Sequence, residues 1–322
     1  MKESPLFWPA YLKGNVLFVL DETALPEKFY YIKVKNTNEA VKVIRDMKTR
    51  AFGQLLVVLN TFLLELNNVG AIHELPLQHK LEKIATTLNA SRPTFPFAEV
   101  TGMVVGWGAQ AMSKGEDIKA TIERNIHGYL QAIRARRLDR VRRISEVIKD
   151  GQKVLTHCNV SGELAMAAQL CQEQNKRVSF YATETRPYFQ GSKLTCWELK
   201  RAGADVTLVA DNAVGSLLAK RMVDLVIVGS DRSCANGDIA NKIGTYQIAV
   251  LAKEFEIPMY ALTQPSNKIP TGKDIPIELR DADELLKSTG KSIAPKGTKG
   301  FYPGFDVVSH DLIKQPIAID VR

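Results

Sequence analysis

The spacing of apolar residues changes midway along the chain. Near the N-terminus, "NVLFVLDETALPEKFYYIKV" (residues 15–34) alternates Val16, Phe18 and Leu20 and turns around Pro26, a pattern that predicts two strands. From Thr37 to about Lys149 the apolar positions take helical spacing, in "NTNEAVKVIRDMKTRAFGQLLVVLNTFLLEL", "LQHKLEKIATTLNAS" and "DIKATIERNIHGYLQAIRARRLDRVRRISEVIKD". Asn36 or Thr37 is placed to cap the first helix. Beyond Asp150 and Gly151 come short apolar runs: "KVLTHC" (153–158), "VSFYATE" (178–184), "VTLVAD" (206–211), "LVIVGSD" (225–231) and "PMYALTQ" (258–264). Helix-like segments such as "LTCWELKRAG" and "IGTYQIAVLAKEFE" separate them. The near-continuous Val, Leu and Ile of each run suits strands covered on both faces of a parallel sheet. The expected class is α/β: a doubly wound domain over residues 150–322, preceded by a mostly helical domain with a short β element over 1–149.

At 322 residues the chain is long enough for one large or two medium cores, and its 45% hydrophobic and 24% charged residues are ordinary for a globular protein. Much of the net charge of +8 sits in "IRARRLDRVRRI" (133–144). Ile133, Leu138, Val141 and Ile144 fit one helical face, so the arginines are expected to form the solvated face; without interleaved aromatics, nucleic acid is not an expected partner. Cys158, Cys171, Cys196 and Cys234 show no paired spacing and read as free thiols. No apolar run near the N-terminus has the length of a signal peptide or a membrane span, so the expected location is cytoplasmic, with no membrane partner.

The strand ends carry the chemistry. Cys158, Glu184-Thr185-Arg186, Asp211-Asn212 and Asp231-Arg232 each close an apolar run. In an open parallel sheet those ends share one edge, where ligands bind at the point at which strand order reverses. Cys158 reads as a nucleophile, a proton-transferring thiol or a buried small residue, with the following "NVSGEL" expected to begin a helix whose positive end would lower the thiol pKa. His157, its neighbour along a strand, should face the other way and pack; His73, His79, His127 and His310 show no ligand spacing, so no metal is expected. Asp231 reads either as a turn residue or as a desolvated acid, and Asp238 as structural. "ANKIGTYQ" places Asn241 and Lys242 at an expected helix start, suited to an anion. Arg50, Arg92 and Arg186 sit beside small residues or proline, and Pro93 and Pro187 restrict how two of them are presented. Neither a Walker A element nor G-x-G-x-x-G is present.

Taken together, "LTHCN", "ETRPYFQGSKLTCWEL", "DLVIVGSDRSCANGDIANKIGTYQIAVLAKEFEIPMY" and "IPIELRDADEL" closely resemble the methylthioribose-1-phosphate isomerase family. Ribose-1,5-bisphosphate isomerase and the regulatory subunits of the eukaryotic initiation factor for guanine-nucleotide exchange share its superfamily. The likeness runs through the C-terminal half, including "GFDVVSHDLI", and is confined to "VLDETALP", "MKTRAFG" and "SRPT" before it. It implies a Rossmann-like C-terminal domain, a homodimer, and neither metal nor organic cofactor. The family's catalytic cysteine and acid fall on Cys158 and Asp231, and its substrate contacts on Arg50, Arg92, Gln190, Asn241 and Lys242. The implied reaction is aldose–ketose isomerisation of 5-methylthioribose 1-phosphate, as in methionine salvage. The alternatives are 5-deoxyribose 1-phosphate, ribose 1,5-bisphosphate, or a non-catalytic sugar-phosphate or nucleotide sensor. Regulatory subunits usually lack the cysteine and aspartate pair, so its presence points to an enzyme. Three departures stand out. The family's Arg-Gly-Ala-Pro is here Arg50-Ala51-Phe52-Gly53, placing Ala51 and Phe52 against the expected phosphate; Gly-Ala-Asp is Gly229-Ser230-Asp231; and the segment after Cys158 lacks a glycine-rich insertion.

Overall fold

The computed structural model describes residues 1–68, 74–92, 95, 97–264, 268–288 and 290–318; His73 and Pro93 lie outside them. They form two compact units, one of Pro5–Ala135 and one of Met1–Ser4 with Arg136–Arg322.

In the first unit, β1 (Ala10–Lys13), β2 (Val16–Leu20) and β3 (Tyr31–Val34) make an antiparallel sheet in chain order. Alternation along β2 sends Leu17 and Val19 into the core. Asn36 caps α1 (Thr37–Arg45), its side chain accepting the Glu39 N–H at 3.0 Å. The helix α2 (Ala51–Asn67) is apolar around most of its circumference, so it is buried between α1, α3 (Glu74–Asn89) and α4 (Phe97–Lys114). The long α5 (Ile118–Val147) follows, and the division between units falls within it.

The second unit is built on six parallel strands. In chain order its elements are β4 (Lys153–Thr156), α6 (Glu163–Glu173), β5 (Ser179–Thr183), α7 (Cys196–Arg201), β6 (Asp205–Val209), α8 (Val214–Ala219), β7 (Leu225–Val228), β8 (Arg232–Ser233), β9 (Ile239–Lys242), α9 (Thr245–Glu254), β10 (Met259–Thr263), α10 (Ala282–Leu286), a small hairpin of β11 (Lys287–Ser288) and β12 (Lys291–Ser292), β13 (Phe305–Val308) and β14 (Gln315–Ala318). The sheet order is β14-β10-β7-β4-β5-β6. Every residue of the central β7 is buried, whereas β6 and β14, at the edges, are largely exposed. Five of the six strands correspond to the apolar runs. The sixth, β14, contains Pro316, which an edge strand tolerates because one side of its ladder is unpaired. A second sheet, β13-β9-β8, is antiparallel.

The arginine-rich stretch of α5 departs from the expected solvated face. Arg137 is 3% exposed, and its Nε donates to Glu163 Oε1 at 2.7 Å while its Nη2 donates to the Ser161 carbonyl at 2.7 Å. Arg140 closes on both oxygens of the same carboxylate and donates from Nη1 to the Thr263 carbonyl at 3.0 Å. Spacing alone misses this, because positions 137 and 140 read as polar wherever their partner lies. Glu163 has no exposed surface; burial pushes its pKa up, but Arg140 and Arg137 outweigh it and hold the group ionised. The pair of guanidiniums thus ties α5 to the start of α6 and to the end of β10.

Glu163→Gln leaves two guanidiniums at a buried position without their counter-charge, and removal of one partner from such a group costs about 3–5 kcal/mol. A urea titration is expected to show the midpoint of this variant falling accordingly. An unchanged midpoint would mean that the ion cluster is energetically idle.

Candidate functional site

Strand order in the six-stranded sheet reverses between β4 and β7: from β4 the chain proceeds outward through β5 and β6, then returns to β7 and continues through β10 to β14. The two strands pair directly, Leu155 opposite Val226. Cys158 therefore leaves one strand and Asp231 its neighbour, on either side of the crevice that such a reversal opens. Gln190 follows β5, on the far side of β4.

The Cys158 backbone is in the left-handed region, φ +63°, which a non-glycine residue occupies at a cost of about 1–3 kcal/mol unless its surroundings hold it there. Two threonines do so. Thr185 Oγ1 accepts the Cys158 N–H at 3.0 Å, and Thr195 Oγ1 donates to the Cys158 carbonyl at 2.6 Å. Asn159 braces the turn, its amide donating to Thr195 Oγ1 and Glu198 Oε1 and its carbonyl oxygen accepting the Ser161 N–H. The thiol residue is 9% exposed. Its position owes nothing to the first turn of α6: Gly162 is the cap of that helix, and Cys158 precedes it.

His157 is buried and turned into the protein. Its Nε2 donates to the Ile243 carbonyl at 2.8 Å, which fixes the tautomer, so Nδ1 accepts from Thr183 Oγ1 at 2.6 Å. Burial pushes its pKa below the usual histidine value. Gly244 fits against this ring: at φ +103°, a Cβ there would lie 3.1 Å from the imidazole.

Asn241 and Lys242 lie in β9, not at a helix start. Their backbones pair with β13, opposite Asp306 and Phe305. The helix α9 begins after Gly244, and two N–H groups at its start are already taken: Asp306 Oδ2 accepts from Gly244 at 2.7 Å and Tyr246 at 2.9 Å. Asn241 is 3% exposed and donates to Thr245 Oγ1 at 3.0 Å. A Cβ on Gly229, at the end of β7, would sit 3.3 Å from Val160 and 3.6 Å from Asn241 Oδ1, so β7, β9 and the loop after Cys158 converge there. Asp231 joins them through its N–H to the Ala240 carbonyl at 2.9 Å. Its residue is exposed, which fits the turn reading of the two the sequence leaves open rather than the desolvated acid. Lys242 is 7% exposed, with its ammonium 5.4 Å from the centre of the Tyr188 ring and 4.8 Å from that of Phe305. Among the described residues it forms no ion pair. Gln190 Oε1 is likewise buried with no hydrogen-bond partner among them.

In the N-terminal unit, Arg50 and Arg92 gather at the first turn of α2. Arg50 occupies the cap position, its guanidinium paired with the buried Glu22. Arg92 Nη1 donates to Gln54 Oε1 at 2.9 Å, and Gln54 in turn donates to the Thr49 carbonyl. The leading N–H groups of a helix have no intrahelical acceptors, so this turn carries positive potential. Phe52 packs edge-on against Trp8, with centroids 5.7 Å apart. Gly53 allows α2 to close on Thr49, whose Oγ1 would lie 1.8 Å from a Cβ.

Two other residues flagged in the sequence are structural. Arg186 donates to the Leu285 carbonyl at 2.8 Å. Asp238 ties three segments together, accepting from Asn236 and Gly272 on one oxygen and from the His310 N–H and ring on the other. The residues that sequence reasoning missed are Thr195, Tyr188 and Phe305; Thr185 enters it only as part of a strand-end cluster. Tyr188 and Thr195 fall inside the quoted "ETRPYFQGSKLTCWEL", but nothing in their spacing sets them apart.

The model of the Initiation factor 2 subunit family matches residues 52–318. The chain belongs to that family. Methylthioribose-1-phosphate isomerase of Desulforudis audaxviator is 38% identical over 97% of this chain and 92% of its own. The 5-deoxyribose 1-phosphate isomerase of Bacillus thuringiensis serovar kurstaki is 34% identical over 95% and 91%. The crystal structure of 5-methylthioribose 1-phosphate isomerase from Pyrococcus horikoshii OT3 superposes with a TM-score of 0.86 at 28% identity, covering 98% of this chain and 93% of that one. The resemblance read from the motifs thus extends over nearly the whole chain.

Asp238 gives a pH test. Burial pushes its pKa up, but hydrogen bonds from Asn236, Gly272 and His310 together hold it well below the usual carboxylate range. Stability from such a group is fully present above its unfolded pKa, about 4, and is lost as pH falls through the folded value. Asp238→Asn is expected to lose about 1–3 kcal/mol at neutral pH. Urea titrations at several pH values should show the gap to wild type closing only as the pH is taken below about 4. A gap independent of pH would remove the ionised carboxylate from the explanation.

Proposed function

We propose that this chain is an aldose–ketose isomerase converting 5-methylthioribose 1-phosphate to 5-methylthioribulose 1-phosphate, with Cys158 and Asp231 as its reacting pair. The observation that carries the reading is their placement just after two adjacent strands at the reversal of sheet order, in a chain so similar throughout its length to proteins named for this reaction.

A phosphate on the anomeric oxygen prevents the sugar ring from opening as a free sugar does. Asp231 protonates the ring oxygen as its bond to C1 breaks. A hydrogen then passes from C2 to C1 while the C2 hydroxyl gives up its proton, matching the one donated to the ring oxygen, which leaves a ketone at C2 and the phosphate ester on a CH2 group; no net oxidation occurs. Cys158 serves this transfer, either relaying a proton through an enediolate or assisting a hydride shift. Lys242, Asn241 and Gln190 bind phosphate and sugar oxygens in the C-terminal unit, and Arg50 and Arg92 supply the anion-binding charge of the N-terminal unit, with Ala51 and Phe52 leading α2. Lys242 and Gln190 are the best supported of these: one offers a buried charge without an ion-pair partner among the described residues, the other an unpaired oxygen. The reading includes a cytoplasmic homodimer working in methionine salvage without metal or organic cofactor. Tyr246 and Val250, a turn apart on α9 and exposed, suit a subunit contact.

The named relative acting on 5-deoxyribose 1-phosphate supports that sugar as the second candidate. Purified protein incubated with each sugar phosphate should form ketose, with the highest kcat/KM for 5-methylthioribose 1-phosphate. Cys158→Ser and Asp231→Asn are each expected to lower kcat by at least about 100-fold. Full activity in both variants sinks the mechanism, and binding of these sugars without isomerisation by wild type would favour a sensor.

A further inference from the structure

Tyr302 has a buried hydroxyl with nothing to hold. The residue is 4% exposed, and its oxygen has no hydrogen-bond partner among the described residues. Burying an unpaired hydroxyl costs free energy, and the position is otherwise firmly specified. The Tyr302 carbonyl accepts the Arg280 N–H at 2.8 Å, and the next residue, Pro303, bridges Leu279. The ring meets that of Tyr188 at a centroid distance of 6.4 Å and an angle of 66°. The Tyr188 ring lies beside the Lys242 ammonium, and Arg280 Nη2 donates to the Tyr188 hydroxyl at 2.7 Å. Arg280 is itself held by Glu278 and Glu284. A chain of fixed contacts thus runs from this segment to Lys242, and among the described residues the Tyr302 hydroxyl has no polar partner within it.

Its surroundings also define its chemistry. Burial pushes the phenol pKa up, and neighbouring Tyr188 and Glu284 raise it further; a thiolate at Cys158 would be close enough to do the same. The hydroxyl therefore stays protonated near neutral pH and is available as a neutral donor.

We infer that Tyr302 is a substrate-binding residue, its hydroxyl donating a hydrogen bond to an oxygen of the sugar phosphate held between Cys158 and Lys242. This rests on the isomerase reading. It accounts for both halves of the observation: a hydroxyl buried without a partner at a cost to the free protein, and a backbone that holds its segment in place.

Tyr302→Phe removes only the oxygen. Because that oxygen is unpaired in the free protein, the variant should melt at the same temperature as wild type or higher. With 5-methylthioribose 1-phosphate it should show kcat/KM lowered about ten- to a hundredfold, and a smaller rise in melting temperature on adding the sugar phosphate. A merely structural tyrosine would give the opposite pattern: a lower melting temperature without ligand and little change in the kinetic constants. Either that pattern or unchanged kcat/KM overturns the assignment while leaving the isomerase reading intact. Wild-type protein that neither turns over nor is stabilised by this sugar phosphate or by 5-deoxyribose 1-phosphate refutes the isomerase reading, and the role of Tyr302 with it.

Discussion

Direct hydrogen bonding between β4 and β7 is the constraint on which the candidate site depends. These strands are far apart in the chain, and between them the fold adds β5 and β6 on one side before returning to the other. Parallel pairing makes their carboxyl ends coincide, so the residues that follow are neighbours whatever lies between them in sequence. Burial on both faces keeps this pair fixed, since a slip in register would carry apolar side chains out of a closed interior.

Around that fixed edge, short polar contacts do the fine positioning. The turn at Cys158 adopts a left-handed backbone and is held by threonines from the segment after β5, while Gly191 lets the chain close on the Thr183 carbonyl, 1.7 Å from where a Cβ would stand. On the other side Asp306 satisfies the start of α9 and leaves Lys242 between aromatic faces. The protein thus meets its own backbone demands with its own side chains, and it keeps a lysine charge, a glutamine oxygen and a tyrosine hydroxyl without internal polar partners among the described residues. In a globular interior such groups are uncommon.

Much of this was legible in the sequence because buried parallel strands leave an unmistakable apolar run, and the polar residues that end each run must share an edge. Cys158 and Asp231 follow strands for that reason, whereas Gln190 is named only through the family resemblance. What was not legible has physical causes as well. β8 and β9 are short, and β9 ends in Asn241 and Lys242, so no apolar run marks it and its residues read as the beginning of α9. Arg137 and Arg140 look solvated because periodicity records only that they are polar; a carboxylate from α6 draws them inward. Tyr302 sits in a loop without periodicity, and its importance lies in an unmade hydrogen bond, which no pattern of residue types encodes.

The central claim is that one sugar phosphate sits with its reacting carbons at Cys158 and its ring oxygen at Asp231. A crystal structure of the Cys158→Ala variant soaked with 5-methylthioribose 1-phosphate tests this most directly. The account predicts C1 and C2 in van der Waals contact with residue 158, and the ring oxygen about 2.6–3.2 Å from the Asp231 carboxylate. A sugar bound with either reacting centre turned away from these residues, or bound elsewhere on the protein, would contradict it.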